Sequence, residues 1–323
     1  MIDVRNSKPL MVGALVTSHL ILPLAALCFI VFWKMEPPAR LIWSFMTCTG
    51  ILLLYHTGYW GTFYLHVRTF LIVLLFTAIG IEACTMDIRE FMFTFDSETL
   101  IAFFAGLPVS LFFLIQIFKA VSARKYPVDP VTISFPFRQG TFMISDGGNG
   151  AVSKMMNYHF SFSGHSRKGT NKAMAYAVDI VQLSKWGAAA WNLFPGRNEE
   201  YPIFGREVIC PCDGIVAEIQ NGITDNLPFG QKPYNIGNYV VIRSNGFQVL
   251  LGHLKQDSLF VKQGDQVIKG QPVAQVGNSG WSERPHLHMQ AMTADKDEIW
   301  KNNGLPLLFD GKNPIKNTRF SFD

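Results

Sequence analysis

Pro285-His286-Leu287-His288 is the segment with the clearest capacity for chemistry. Side chains two apart in a strand project to one face, so His286 and His288 present both imidazoles to a single site. His253, in Gly252-His253-Leu254, ends a strand that can come alongside. A catalytic zinc site combines neutral imidazoles with a carboxylate, bound at about 2.0 to 2.2 Å, and keeps one position for water. Another His and an Asp or Glu must therefore come from elsewhere in the chain.

The segments MMNYHFSF (Met155 to Phe162) and AMAYAVDIV (Ala173 to Val181) supply them. Folded as a hairpin centred near residue 169, they place His159 opposite Asp179 across one strand pair. His165 competes for the same role, but in that register it falls in the connecting loop. Metal ligands are thus expected at His159 (or His165), Asp179 and His288.

The elements that must position these residues read as β-structure. Of the 27 glycines, 21 lie beyond residue 120, between short β-branched runs. Asn245-Gly246, flanked by Tyr239 to Ser244 and Phe247 to Leu254, is a strong hairpin signal with both turn residues expected at positive φ. VKQGDQVIKGQPVAQV (Val261 to Val276) adds two short strands.

Residues 150–292 resemble the M23 (lysostaphin-like, LytM-type) zinc metallopeptidases through YAVDIV, CPCDGIVAEI, GNYVVI, GHL, VKQGDQVIKGQPVAQVGNSG and PHLHMQ. The resemblance implies an all-β antiparallel metallopeptidase domain of LytM-like, barrel-sandwich hybrid type. It also implies zinc held by Asp179 and His288, with His253 and His286 assisting catalysis and peptidoglycan peptides as substrate. The family's HxxxD position is Ala175 here, so the first ligand has to come from upstream. The alternative is a metal-free module of the same fold that binds or regulates a partner in wall remodelling. A lipoyl-like carrier barrel fits VKQGDQVIKGQPV alone and leaves PHLH unexplained.

The N-terminal part is apolar. Residues 9–33 carry no Asp, Glu, Lys or Arg, enough helix to cross a hydrocarbon core of about 30 Å. Residues 41–67 and 69–81 can hold two further spans joined by a turn at Gly58 to Gly61, with Arg68 near a helix end. Residues 99–118 form a fourth. The expected organisation is a membrane domain over 1–122, with about four transmembrane helices in a lipid bilayer, and a metallopeptidase domain over 123–323. The carboxylates from Glu82 to Glu98 read as a polar loop. His19, His56 and His66 read as ordinary histidines of the spans, because no intramembrane carboxylate is at hand to partner them.

Charge sharpens the picture. Residues 1–120 balance 7 basic against 7 acidic groups, so the net charge of +4 belongs to the remainder. That surplus is too dilute for nucleic-acid binding. The five cysteines, Cys28, Cys48, Cys84, Cys210 and Cys212, read as reduced and mostly buried. With four spans both termini share a side carrying Arg5, Lys8, Arg68, Lys119, Arg124 and Lys125, against Lys34, Arg40 and Arg89 on the other. The positive-inside rule assigns that side to the cytoplasm. A wall substrate demands the opposite, and it is given precedence: a multi-pass bacterial membrane protein with its peptidase domain on the periplasmic or extracellular side. Three spans would reconcile the two.

Overall fold

The computed structural model describes residues 13–33, 35–63, 65–85, 96–161, 172–193, 195–230, 233, 235–296 and 298–323. Its contacts form two compact units. One lies within Pro9–Gly58 and Tyr64–Val121, and the other joins Ser122–Asp323 to the five residues Tyr59–Phe63.

Among its described residues the first unit holds four helices long and apolar enough to cross a membrane: Gly13–Phe32, Pro37–Thr57, His66–Thr85 and Ser97–Ser122. Each is apolar around most of its circumference, which suits a lipid surround rather than a water-facing side. Phe70, Phe76, Phe104 and Phe118 point outward, while Leu27, Ile30, Ile51, Leu75 and Ala78 pack together. Pro23 and Pro108 each follow a widened π-helical turn, Thr17–Ile21 and Ala102–Gly106. Proline lacks the N–H for the preceding carbonyl and its ring crowds that turn, so widening it accommodates the ring without ending the helix.

Two expectations fail in this unit. Glu82 is not in a polar loop: the third helix continues to Thr85, and Glu82 is buried, accepting a hydrogen bond from Ser44 Oγ at 2.6 Å with Arg40 Nε at 3.6 Å. A carboxylate this far inside a helix pair requires such partners. The cysteines are free, but only Cys210 is buried; Cys28 and Cys84 are exposed, as apolar helices with a lipid-facing exterior permit.

The second unit is built on strands β1 (Val131–Ile133), β2 (Gly140–Asp146), β3 (Val178–Leu183), β4 (Glu207–Ile209), β5 (Gly214–Gln220), β6 (Asn238–Arg243), β7 (Phe247–Leu254), β8 (Gln266–Val267), β9 (Pro272–Gln275), β10 (Leu287–Thr293), β11 (Gly304–Leu305), β12 (Leu307–Phe309) and β13 (Arg319–Phe322). An antiparallel sheet runs β13-β2-β3-β10-β7-β6-β5-β8, with β11 added beside β10. β4 and β9 form an antiparallel pair, and β1 and β12 a parallel one. The fold class is thus four apolar helices followed by a largely antiparallel β domain. β6 and β7 join through Asn245-Gly246, but only Gly246 takes a positive φ, 82°, so the turn is not the doubly left-handed type.

Strict alternation along the central strands sorts side chains between two faces. Val178, Ile180, Val249, Leu251, Leu287, Met289 and Ala291 enter the main core, with Phe142 and Phe309 among its largest members. Asp179, His288, Gln290 and Met292 therefore fall on the opposite face, where Val241, Leu250, Met292 and Ile299 form a smaller cluster.

Candidate metal and catalytic site

Register assembles the site. Asp146, Asp179, His288 and Gly252 lie in one row across β2, β3, β10 and β7, each opposite the next. A bulge after Ile144 shifts Asp146 into that row. Asp179 Oδ1 stands 3.0 Å from His288 Nδ1 and 3.2 Å from His159 Nε2. All three residues are buried, and one donor atom from each lies within 4.8 Å of the others.

His159 arrives by a route other than the expected hairpin. Both edges of β3 are occupied, by β2 and β10, which leaves none for a strand containing residue 159. His159 instead opens a short 3₁₀ turn, His159–Ser161. Asn157 holds it there. The Asn157 amide nitrogen donates to Gly148 O at 2.8 Å and Ala177 O at 2.9 Å, so Oδ1 faces His159 and accepts from its Nδ1 at 2.7 Å and its backbone N–H at 3.1 Å. His165 lies outside the described residues.

His288 is oriented in a complementary way. Its Nε2 lies 3.1 Å from Gln290 Oε1 and its Nδ1 faces Asp179 Oδ1 at 3.0 Å. In both histidines one ring nitrogen faces Asp179 and the other lies against an amide oxygen. Metal-ligating histidines are set up in this manner.

His253 and His286 stand beside this group, with ring centroids 4.7 Å apart and His253 5.6 Å from His288. By alternation His253 belongs with Val249 and Leu251 on the core face. A left-handed φ of 58° turns it to the other. His253 Nδ1 donates to Ser279 O at 2.9 Å, and His286 Nδ1 donates to Arg284 O at 2.8 Å. Among the described residues His286 Nε2 is buried without a hydrogen-bond partner, 3.5 Å from Asp179 Oδ1.

The electrostatics follow from four imidazoles around one carboxylate. Burial alone would raise the Asp179 pKa, but His159 and His286 hold it well below the usual carboxylate range. Burial and the neighbouring imidazoles push His253 well below the ordinary histidine value, and burial lowers His288. For His286 burial pulls down, yet the Asp179 charge wins and raises it. Asp146, further along the row, is raised by burial despite its partner Lys316, whose Nζ donates to Asp146 Oδ1 at 3.2 Å.

The structure therefore brings together His159, Asp179, His253, His286 and His288. Sequence patterning did not single out Asn157, Gln290, Ser279 or Arg284. Gln290 continues the HxH alternation and could have been found on that ground. Ser279 and Arg284 act through loop backbone and Asn157 through a side chain in a loop, which leaves no periodic signal.

The residues 201–299 match the model of peptidase family M23. The M23 match takes in β4 to β10 and with them His253, His286 and His288, while His159 and Asp179 precede it. Among curated proteins no relative matches the chain. Among solved structures, a zinc-containing peptidase from Vibrio cholerae is similar at 20% identity and a TM-score of 0.31, over 53% of this chain and 37% of that one. The catalytic domain of the antimicrobial peptidase lysostaphin from Staphylococcus simulans is similar at 17% identity and a TM-score of 0.27, over 53% of this chain and 86% of that one. This chain thus spans well under half the length of the Vibrio protein.

Proposed function

We propose that the protein is a membrane-anchored zinc endopeptidase that hydrolyses peptide bonds of peptidoglycan. The observation that carries this reading is the convergence of His159 Nε2, Asp179 Oδ1 and His288 Nδ1 with both remote imidazole nitrogens already engaged. The donor set suits zinc. Ligands about 2.1 Å from a tetrahedral ion are roughly 3.4 Å from one another, and the separations of 3.0 and 3.2 Å from Asp179 Oδ1 need little adjustment.

When bound, zinc supplies Lewis acidity that lowers the pKa of a water and polarises the scissile carbonyl. The chain's own residues do the rest. His253, neutral through burial and with Nδ1–H committed to Ser279 O, keeps Nε2 free to accept a proton from the attacking water. His286, anchored through Nδ1 to Arg284 O, directs Nε2 into the site, where a protonated nitrogen donates to the developing oxyanion or the leaving amine. The M23-type segment and the chemistry of the five side chains support this division of labour. Four flanking helices of spanning length support a role at the bilayer; a peptidoglycan substrate requires the β domain on the wall side.

The test is digestion of purified sacculi by the full-length protein in detergent micelles, with mass spectrometry of the released muropeptides. New peptide termini are expected from the wild type, with His253→Ala and His286→Ala at equal metal content releasing them on the order of 10² to 10⁴-fold more slowly. Metal-replete wild-type protein that releases no peptide from sacculi of several cross-link types would instead favour the non-catalytic module.

A further inference from the structure

The five residues Tyr59–Phe63 connect the second and third helices by sequence, yet they belong to the β domain's compact unit. Trp60 and Phe63 are 1% and 3% exposed, as well buried as core residues of the sheet. Ala189 N donates to Gly61 O at 2.7 Å. A Cβ at Gly61 would stand 2.7 Å from Met143 Cε of β2, so the loop backbone lies close against the sheet's side chains. The loop reaches both flanks of the candidate site. At one end Lys316 Nζ lies 3.6 Å from the centre of the Tyr59 ring while also donating to Asp146. At the other, Arg284 Nη1 donates to Thr62 Oγ1 at 2.9 Å.

Arg284 is the residue whose carbonyl receives the His286 Nδ1–H, and Ser282 Oγ donates to that same carbonyl at 2.9 Å. The carbonyl's position fixes the tilt of the imidazole, and Arg284's side chain is fixed by Thr62. We propose that Thr62 is a positioning residue: it holds Arg284, and through it His286, in the orientation that hydrolysis requires. A segment between two membrane helices thereby completes the peptidase site. The catalytic part of this inference rests on the function proposed above; the structural part, that Thr62 sets the environment of His286, does not.

Two measurements on the full-length protein separate them. Carbethoxylation of individual histidines by diethyl pyrocarbonate, mapped by mass spectrometry, reads the His286 environment without any need for turnover. Thr62→Ala is expected to raise the His286 modification rate severalfold, leave His159 unchanged, and be reversed in Thr62→Ser, which keeps the hydroxyl. Turnover on sacculi should fall about 10-fold in kcat with little change in KM for Thr62→Ala and return with Thr62→Ser, because small misplacements of a catalytic group are costly. Unchanged His286 reactivity in Thr62→Ala, or equal changes in the Ala and Ser variants, overturns the proposal. Inactivity of the wild type with the expected reactivity pattern would remove the peptidase reading and keep the positioning.

Discussion

Asp179 lies directly opposite His288 in the β3–β10 pair, with Oδ1 3.0 Å from Nδ1, and the same oxygen is 3.2 Å from His159 Nε2. The carboxylate is thus the hub of the site. Its position is set by sheet register, the most strongly specified feature of a two-faced strand, whereas His159 depends on a loop.

That dependence makes Asn157 a sensitive point. Its side chain satisfies two backbone carbonyls and two groups of His159 from a fully buried position. Asn157→Ala should weaken zinc binding by roughly 10- to 100-fold, the usual cost of removing a partner that orients a ligand. Competition with a fluorescent chelator measures it. Affinity equal to wild type would mean that His159 is held by something else.

How much of this could be read from sequence differs residue by residue. His288 sits on a strand, where period two decides which face a side chain takes, and was legible; Asp179 was reached through the family resemblance and through the same hairpin as His159. His159 was nominated through a hairpin that does not form, because a strand has two edges and β3 spends both on β2 and β10. The orientation of His253 hinges on one left-handed residue, which alternation cannot foresee. Glu82 was misplaced because hydropathy marks where a helix turns polar, not where it ends. The membership of Tyr59–Phe63 in the β domain is a long-range contact without any local pattern.

Cys210 and Cys212 give a pH prediction outside the site. Burial lifts the Cys210 thiol to about 11; burial and the adjacent Cys210 lift Cys212 to about 12. Unfolded thiols ionise near 8.5, so the folded state favours the protonated form. The stabilisation is complete below that value and is lost as pH rises through 11 to 12. Iodoacetamide at pH 8 should therefore leave both thiols unmodified in the folded protein and label them rapidly in urea, since only the thiolate reacts. Fast labelling without denaturant would contradict their burial.

Topology offers a further prediction. Tyr59–Phe63 and Ser122–Asp323 form one unit, so if the apolar helices span a bilayer they lie on one side of it, and the two helices between them, His66–Thr85 and Ser97–Ser122, return the chain to that side. This favours four spans over three. With peptidoglycan as substrate, a reporter after Asp323 should score outside the cytoplasm, and a tag at residues 35–36 inside. The reverse pattern would obey the charge count of Arg5, Lys8, Arg68, Lys119, Arg124 and Lys125 and would exclude a wall substrate.

The central claim is that His159, Asp179 and His288 hold a metal that His286 and His253 do not. Elemental analysis of full-length protein, purified after growth with zinc, tests it most directly. Wild type, His253→Ala and His286→Ala should each carry about one zinc per chain, whereas Asp179→Ala and His288→Ala should carry almost none, as expected when a first-row ion loses one of three protein ligands. Equal zinc content in all five proteins, or loss in His286→Ala with retention in Asp179→Ala, would contradict the account.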